Sequence, residues 1–378
     1  MDPLITVLDT RIVTGSGGGP EKTILNSPRF LEGSRYRGLA CYLRSPQDPG
    51  FAELRRRAKE KDCPLIEIDD KRPLDFVALK ALAEVCRIHN VRIWHGHDYK
   101  TNLFGVLLRP RLKFRLVTTV HGWVTRTSRT PFYYAIDRWT LPRHDQVIAV
   151  SDDLFEQCKR SGVAADRLHL IENAIDSDEF RRTCPPAMAL SRTGMPPGRL
   201  VIGAVGRLRE EKGFDLLISA VSHLLREGHD LELWIAGEGP ELQRLTAQAH
   251  STGYDARIRF LGFQASPREL FEAFDIFCLS SRREGLPNVV LEAMAMEVPV
   301  VATRSGGIEK FGRDGEDMLI VPVGREEPLK EAIRSLIYNV RMRAALARTA
   351  RRRIEDEYSF RQRMNRVVEV YDRLWCKR

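Results

Sequence analysis

Residues 276–305, IFCLSSRREGLPNVVLEAMAMEVPVVATRS, hold two short apolar runs, IFCLSS and PVVATRS, on either side of a longer apolar segment. Pro287 can stand at or just before a first helical position, and the run from Asn288 to about Met296 is apolar, so the stretch reads as strand, loop, helix, strand. Strands that are apolar along their whole length are those covered on both faces, as in parallel sheets. The same alternation recurs on both sides. LITVLD, RGLACYL, PLIEID, VRIWHG, RLVTTV, QVIAVS and HLIEN precede it, and LVIGAVG, LELWIAG, IRFLG and MLIVPV share its half of the chain, with helices such as FDLLISAVSHLLREG between them. An α/β fold with two doubly wound parallel sheets follows, and 378 residues are too many for one ordinary core.

Between the halves, RRTCPPAMALSRTGMPPGR at 181–199 has two Pro pairs and a Gly that interrupt regular structure, and it reads as a linker. The expected domains are therefore 1–185 and 195–357, followed by a helix over 358–378 whose apolar residues recur at helical spacing. No apolar stretch approaches the roughly 18 residues of a spanning helix, and MDPLITVLD reads as a strand rather than a signal peptide, so a cytoplasmic protein is expected. Seven scattered cysteines, at 41, 63, 86, 158, 184, 278 and 376, show no CxxC spacing and suit free thiols in a reducing compartment.

The formal net charge is +9, and eight Arg or Lys stand against the single acid Asp137 between Arg109 and Arg143. Nucleic acid, anionic lipid, an anionic substrate or a solvated face would each suit such a stretch. No RNA-recognition, zinc-finger or basic-helix pattern accompanies it, so nucleic acid is not expected as a partner.

Four stretches carry chemistry. In GSGGGPEKT, residues 15–23, close glycines and a following helix suit either an anion contact or a flexible turn. In AVGRLREEKGFDLL, residues 204–217, Arg207 and Lys212 lie just past a strand, where two cations can clamp a diphosphate; a surface Lys in a charged turn is the alternative. In the opening stretch Glu284 falls on the loop and Glu292 in the early helix, inclined toward its amino end, and the amides near Asn288 and Val289 would face an anion between them. A loop salt bridge and a buried, paired glutamate are the plainer readings. His95 and His97, in WHGHDYKTN, fall at a strand end with a contact to acceptor and a structural role both open. Asp176-Ser177-Asp178 matches a metal-binding DxD string but sits where Asp commonly caps a helix, so no metal is expected. Met294 and Met296 read as core.

With these residues in place, the chain resembles the retaining glycosyltransferases of the two-domain GT-B fold, the glycosyl transferases group 1 or family 4. The resemblance is carried by EGLPNVVLE, GRLREEKG, IAGEGPEL, RFLGF and TRSGGIEKF in the second half, and by SGGGPEKT, VTTVHGW, VSDDL and ENAID in the first. It implies two Rossmann-like domains facing a central cleft, with the last helix returning to the first domain. It further implies a nucleotide-diphosphate sugar donor, a carbohydrate or lipid-linked acceptor and no metal or other cofactor. Glu284 would contact the donor sugar and Glu292 the ribose, while Arg207 and Lys212 would bind the diphosphate with the amides around Asn288 and Val289. Gly18 and Gly19 would approach the diphosphate or acceptor, Glu21 would face the acceptor, and His121 would lie near the reacting sugar. Surface polysaccharide or glycolipid synthesis is the expected context, with the basic stretch resting on anionic membrane at the inner face. The competing readings are a nonhydrolysing sugar-nucleotide epimerase, a phosphorylase, or a noncatalytic sugar-nucleotide-binding subunit.

Overall fold

A computed structural model describes residues 4–15, 17–122, 130–191, 199–264 and 267–375. The chain divides into two compact units, residues 1–172 with 361–378, and residues 173–360.

The first unit holds seven strands: β1 (Ile5–Val13), β2 (Tyr36–Arg44), β3 (Leu65–Asp69), β4 (Val91–Gly96), β5 (Arg115–Val120), β6 (Gln146–Ala149) and β7 (Leu168–Leu170). Their order is β3-β2-β1-β4-β5-β6-β7, every pair parallel. The second unit holds β8 (Leu200–Val205), β9 (Leu231–Ala236), β10 (Ile258–Phe260), β11 (Ile276–Leu279), β12 (Val300–Thr303) and β13 (Leu319–Val321), ordered β10-β9-β8-β11-β12-β13 and again parallel. In both sheets the order reverses beside the first strand, between β1 and β4 and between β8 and β11. At such a reversal the loops leaving neighbouring strands diverge and leave a crevice at the carboxyl ends.

The stretch 276–305 forms β11, the helix Asn288–Ala295 and β12, as the sequence predicts. Met294 and Met296 are fully buried in the second unit's core with Val290, Leu291 and Val300. The central strands β9, β11 and β12 are buried along their whole length, as strands covered on both faces should be.

The unit boundary lies earlier than the expected 185. From Asn173 onward the chain is tied to the second unit by two arginines. Arg182 donates to the carbonyls of Met296 (2.8 Å), Phe274 (3.1 Å) and Phe271 (3.2 Å). Arg351 donates to those of Phe180 (2.7 Å), Ala295 (2.7 Å) and Ser177 (2.9 Å). The expected linker also contains a helical turn and a half, Pro186–Ser191. The final helix, Phe360–Arg373, belongs to the first unit. Met364, Val367, Val370 and Tyr371 are buried along one side of it, and Asp372 accepts from Arg35 and Tyr36.

Six cysteines are described, all buried and free; Cys376 lies outside the described residues. Among the described residues no helix is long and apolar enough to cross a membrane. The basic stretch Arg109–Arg143 is only partly described, since residues 123–129 fall outside.

Candidate functional site

In the second unit, backbone contacts draw the loops leaving β8, β9, β11 and β12 together. Leu208 N–H donates to Glu238 O (2.8 Å) and Glu241 N–H to Leu208 O (3.1 Å), which joins the loops after β8 and β9. Arg282 N–H donates to Glu211 O (2.8 Å), and the Arg282 guanidinium grips both oxygens of Asp215 at 2.9 and 2.7 Å, which joins the loops after β8 and β11. Gly307 N–H donates to Glu284 O (3.0 Å), which brings in the loop after β12. The two glycines of TRSGGIEKF explain themselves here. A Cβ on Gly307 would lie 2.1 Å from Gly285 O, and one on Gly306 2.5 Å from Glu284 O. Gly213 is left-handed (φ 65°), and a Cβ there would meet Ser280 O at 2.2 Å. No side chain fits between these loops.

On this frame Lys212 Nζ and Glu284 Oε1 form an ion pair, and Ser281 Oγ donates to the same carboxylate oxygen (2.7 Å). Both side chains are mostly buried, at 19% and 10% exposure. The pair stands at the β8/β11 reversal, where the sheet's topology places a ligand. The sequence assigned these residues to different parts of a ligand, and the structure brings them into direct contact. Arg207, on the same loop as Lys212, is exposed, with no side-chain partner among the described residues. Asn288 and Val289 begin the helix Asn288–Ala295, so their amides have no intrahelical carbonyl to donate to. Glu292 is one turn further along that helix and 1% exposed, well separated in environment from the loop carboxylate Glu284. These groups supply two cations, a helix amino end and two carboxylates around one strand-end crevice, the set a phosphorylated, hydroxyl-bearing ligand requires.

In the first unit the glycine loop precedes the helix Gly19–Leu31, with Gly18 at its amino cap and Pro20 in its first turn. Glu21 braces the glycine loop from within. Its Oε2 accepts from Gly18 N–H (2.5 Å) and its Oε1 from Arg11 Nε (2.5 Å), and it is 3% exposed. Burial alone would raise this carboxyl, but the Arg11 guanidinium and the Gly18 amide hold it below the usual carboxylate range. The Gly18 amide is thereby occupied from within, as in a capping box. Glu21 shapes the glycine loop, and its oxygens are already used.

A second polar line runs from the middle of β1 to the end of β5. Asp9 Oδ1 meets His97 Nε2 at 2.9 Å, and His97 Nδ1 meets His121 Nε2 at 3.0 Å. Arg11 donates to His97 O (2.8 Å), and the His97 and His121 rings stack at 5.3 Å. Burial pushes Asp9 up to about 6, against the opposing pull of His95 and Arg363, and drives all three histidines well below 6.5. Near neutral pH Asp9 is therefore the acceptor. His97 then carries its proton on Nε2 and accepts at Nδ1, His121 donates from Nε2, and the half-buried His121 keeps Nδ1 as an acceptor. His95 is structural, with its ring nitrogens satisfied by Tyr371 OH (2.7 Å) and Thr119 Oγ1 (2.8 Å). The ligand atoms of Asp9, His95 and His97 lie within 4.8 Å of one another, but they are spent on hydrogen bonds among themselves and to these neighbours. In the DxD string Asp176 Oδ1 accepts from Asp178 N–H and Glu179 N–H (both 3.2 Å) across a turn, with no helix following it, while Asp178 is exposed.

Sequence reading missed Asp9, Arg11, Asp215 and Arg282. Asp9 had a signal, a lone acid inside the apolar strand LITVLD; the Asp215–Arg282 bridge is a long-range pair with none.

Residues 191–353 match the family described as Glycosyl transferases group 1, and residues 17–179 match Glycosyltransferase Family 4. The chain is 30% identical over 288 residues to a GDP-mannose-dependent alpha-(1-6)-phosphatidylinositol monomannoside mannosyltransferase of Mycolicibacterium smegmatis, covering 74% of this chain and 75% of that protein. It is 36% identical over 173 residues to the lipopolysaccharide core biosynthesis glycosyltransferase LpsE of Rhizobium meliloti, a match covering 46% of this chain and half of that protein. Among solved structures, HepE of Anabaena in complex with UDP superposes with a TM-score of 0.79 at 20% identity, covering 98% of this chain and all of that one. That likeness establishes the GT-B fold.

Proposed function

The chain belongs to the group 1, family 4 glycosyltransferases, and from that premise we propose that it transfers a sugar, with retention of anomeric configuration, from a nucleotide-diphosphate sugar to a carbohydrate or lipid-linked acceptor. The observation that carries this reading is the Lys212–Glu284 pair at the β8/β11 reversal, with Arg207 beside it and the amides of Asn288 and Val289 at the helix start. The relatives named above, one acting in lipopolysaccharide core biosynthesis and one on a phosphatidylinositol monomannoside, support a context in surface glycolipid or polysaccharide synthesis.

In this reading Lys212 and Arg207 take the diphosphate. Lys212 must turn from Glu284 to do so, which frees that carboxylate for the sugar hydroxyls. Glu292 holds the ribose. As the bond from the anomeric carbon to the diphosphate oxygen breaks, negative charge grows on the phosphate beside the two cations, while positive charge spreads over the sugar ring near Glu284. The acceptor oxygen bonds to the same face, and its proton passes to the departing phosphate oxygen. No protein nucleophile and no metal take part. The acceptor is assigned to the first unit with His121 beside the reacting sugar, and the basic stretch to anionic membrane at the cytoplasmic face.

A thermal-shift screen against UDP-, GDP-, ADP- and dTDP-sugars identifies the donor, since binding to the native state raises the melting temperature. The product's anomeric configuration, read by NMR, then tests retention; an inverted product contradicts the mechanism. Activity should survive EDTA, and loss restored by Mg²⁺ or Mn²⁺ would reinstate a metal.

A further inference from the structure

His97 and His121 follow the carboxyl ends of β4 and β5. At the opposite, amino-terminal ends of the same strands the first unit has a pocket of about 450 Å³. Its lining includes Arg92, Arg109, Lys113 and Arg115 with the rings of Phe114 and Trp375 and, among the described residues, no carboxylate.

Two of these cations have ordinary structural reasons. Arg109 is bridged to Asp145 (2.8 Å) and donates to Arg143 O (3.1 Å). Lys113 ends the helix Tyr99–Leu112 in a left-handed turn (φ 57°), where a positive charge meets the negative end of the helix. Neither reason applies to Arg92 and Arg115. Both come from strand starts, both are exposed, and neither has a carboxylate partner among the described residues. Their guanidinium carbons lie 5.8 and 6.0 Å from the centre of the Trp375 ring. Cation–π attraction to the indole steadies both guanidiniums without using their N–H groups as a carboxylate partner would. The pocket floor is fixed, because Phe114 stacks on the buried Trp94 at 5.4 Å.

Gathering four cations around one concavity, with only Arg109 paired to a carboxylate among the described residues, is electrostatically unfavourable, and a bound polyanion reverses the sign. Planar guanidinium forks match phosphate oxygens two at a time, and an ammonium can take a third. We propose that this pocket binds a phosphate-bearing ligand through Arg92, Arg115 and Lys113, at the end of the first sheet opposite the histidines. The site is independent of the donor residues of the second unit.

Calorimetric titration of the full chain with inorganic pyrophosphate tests it, comparing wild type, K212A, R92Q/R115Q and, separately, K113Q, each first checked for an unchanged melting temperature. Wild type should show two binding events. R92Q/R115Q should weaken one by at least about tenfold, the loss of one or more charge-assisted hydrogen bonds, and K113Q should weaken the same one. K212A should affect only the other, so failure of the donor assignment leaves this result readable. A parallel arm uses vesicles of phosphatidylcholine with and without phosphatidic acid. Binding to the acidic vesicles lost in R92Q/R115Q would support the site with a lipid headgroup as the phosphate source. R92Q/R115Q matching wild type in both arms would overturn the proposal.

Discussion

The two units have the same sheet plan, six or seven parallel strands reversing beside the first, and use it in opposite ways. In the second, the polar groups stand on loops beyond the strands and are held there by backbone: Gly307 against Gly285, Gly213 against Ser280, Arg282 across to Asp215. Among the described residues the Lys212 and Glu284 side chains are thereby left with only each other and Ser281 as partners, a light engagement that a phosphate and a sugar can replace. In the first, Asp9 lies within β1 and His97 and His121 just past the ends of β4 and β5, where the three satisfy one another in line and only the last is half exposed. A pair that is still partly exposed can exchange partners at a lower desolvation cost, whereas a fully buried line can only transmit a proton arrangement. One unit is built to change its contacts and the other to keep them.

Substitutions can break this contrast, beginning with the largest expected effect. Lys212→Ala should lower kcat/KM by about 10²–10³-fold and weaken nucleotide binding as well, because it removes a cation from the developing charge; steady-state kinetics with calorimetry check both. Gly307→Ala pushes a methyl group into the Gly285 carbonyl, so the Glu284 loop must shift; a loss of about tenfold or more in kcat is expected, with the fold retained by circular dichroism. The first unit should respond to pH instead. As pH falls through about 6, Asp9 takes up a proton and becomes a donor, the line reverses, and His121 Nδ1 ceases to accept. The pH–rate profile should bend near 6 in wild type and lose that bend in Asp9→Asn. The stability sign is fixed by the same shift. Asp9's folded value is above its unfolded 3.8, so the folded state binds more protons between about 4 and 6, and Asp9's contribution to stability declines as pH rises through that window. Asp9→Asn should remove that decline, as pH-dependent melting would show. The smallest effect is expected for Arg282→Ala, whose bridge to Asp215 is partly exposed; a loss of about 1 kcal/mol or less and a few-fold rise in KM would suit a brace between loops.

The fold was legible because doubly wound sheets announce themselves as apolar runs at regular spacing, and the stretch 276–305 forms the expected strand, loop, helix and strand. The loop positions of Lys212 and Glu284 were legible for the same reason, since residues just past a strand in such a sheet must lie at its carboxyl end. Contacts between distant segments were not. Nothing in ENAID or RRTCPP shows that Arg351 and Met296 claim that segment for the second unit, which moved the boundary from 185 to 172. The contacts of Glu21 were not legible, because a carboxylate after a glycine loop looks the same in sequence whether it faces outward or returns to cap Gly18. The histidine line was half legible: His95, His97 and His121 stood out, while the partner that orders them, Asp9, lay inside an apolar strand.

The central claim is that Glu284 acts on the sugar and not on the nucleotide, and the Glu284→Ala variant tests it most directly when turnover with the identified donor and affinity for the free nucleoside diphosphate are measured on the same preparation. Transfer is expected to fall by about 10²–10³-fold while nucleotide affinity stays within a few-fold of wild type or tightens, because Lys212 no longer has to leave Glu284. Wild-type turnover in this variant, or a loss of nucleotide affinity as large as the loss of turnover, would contradict the assignment.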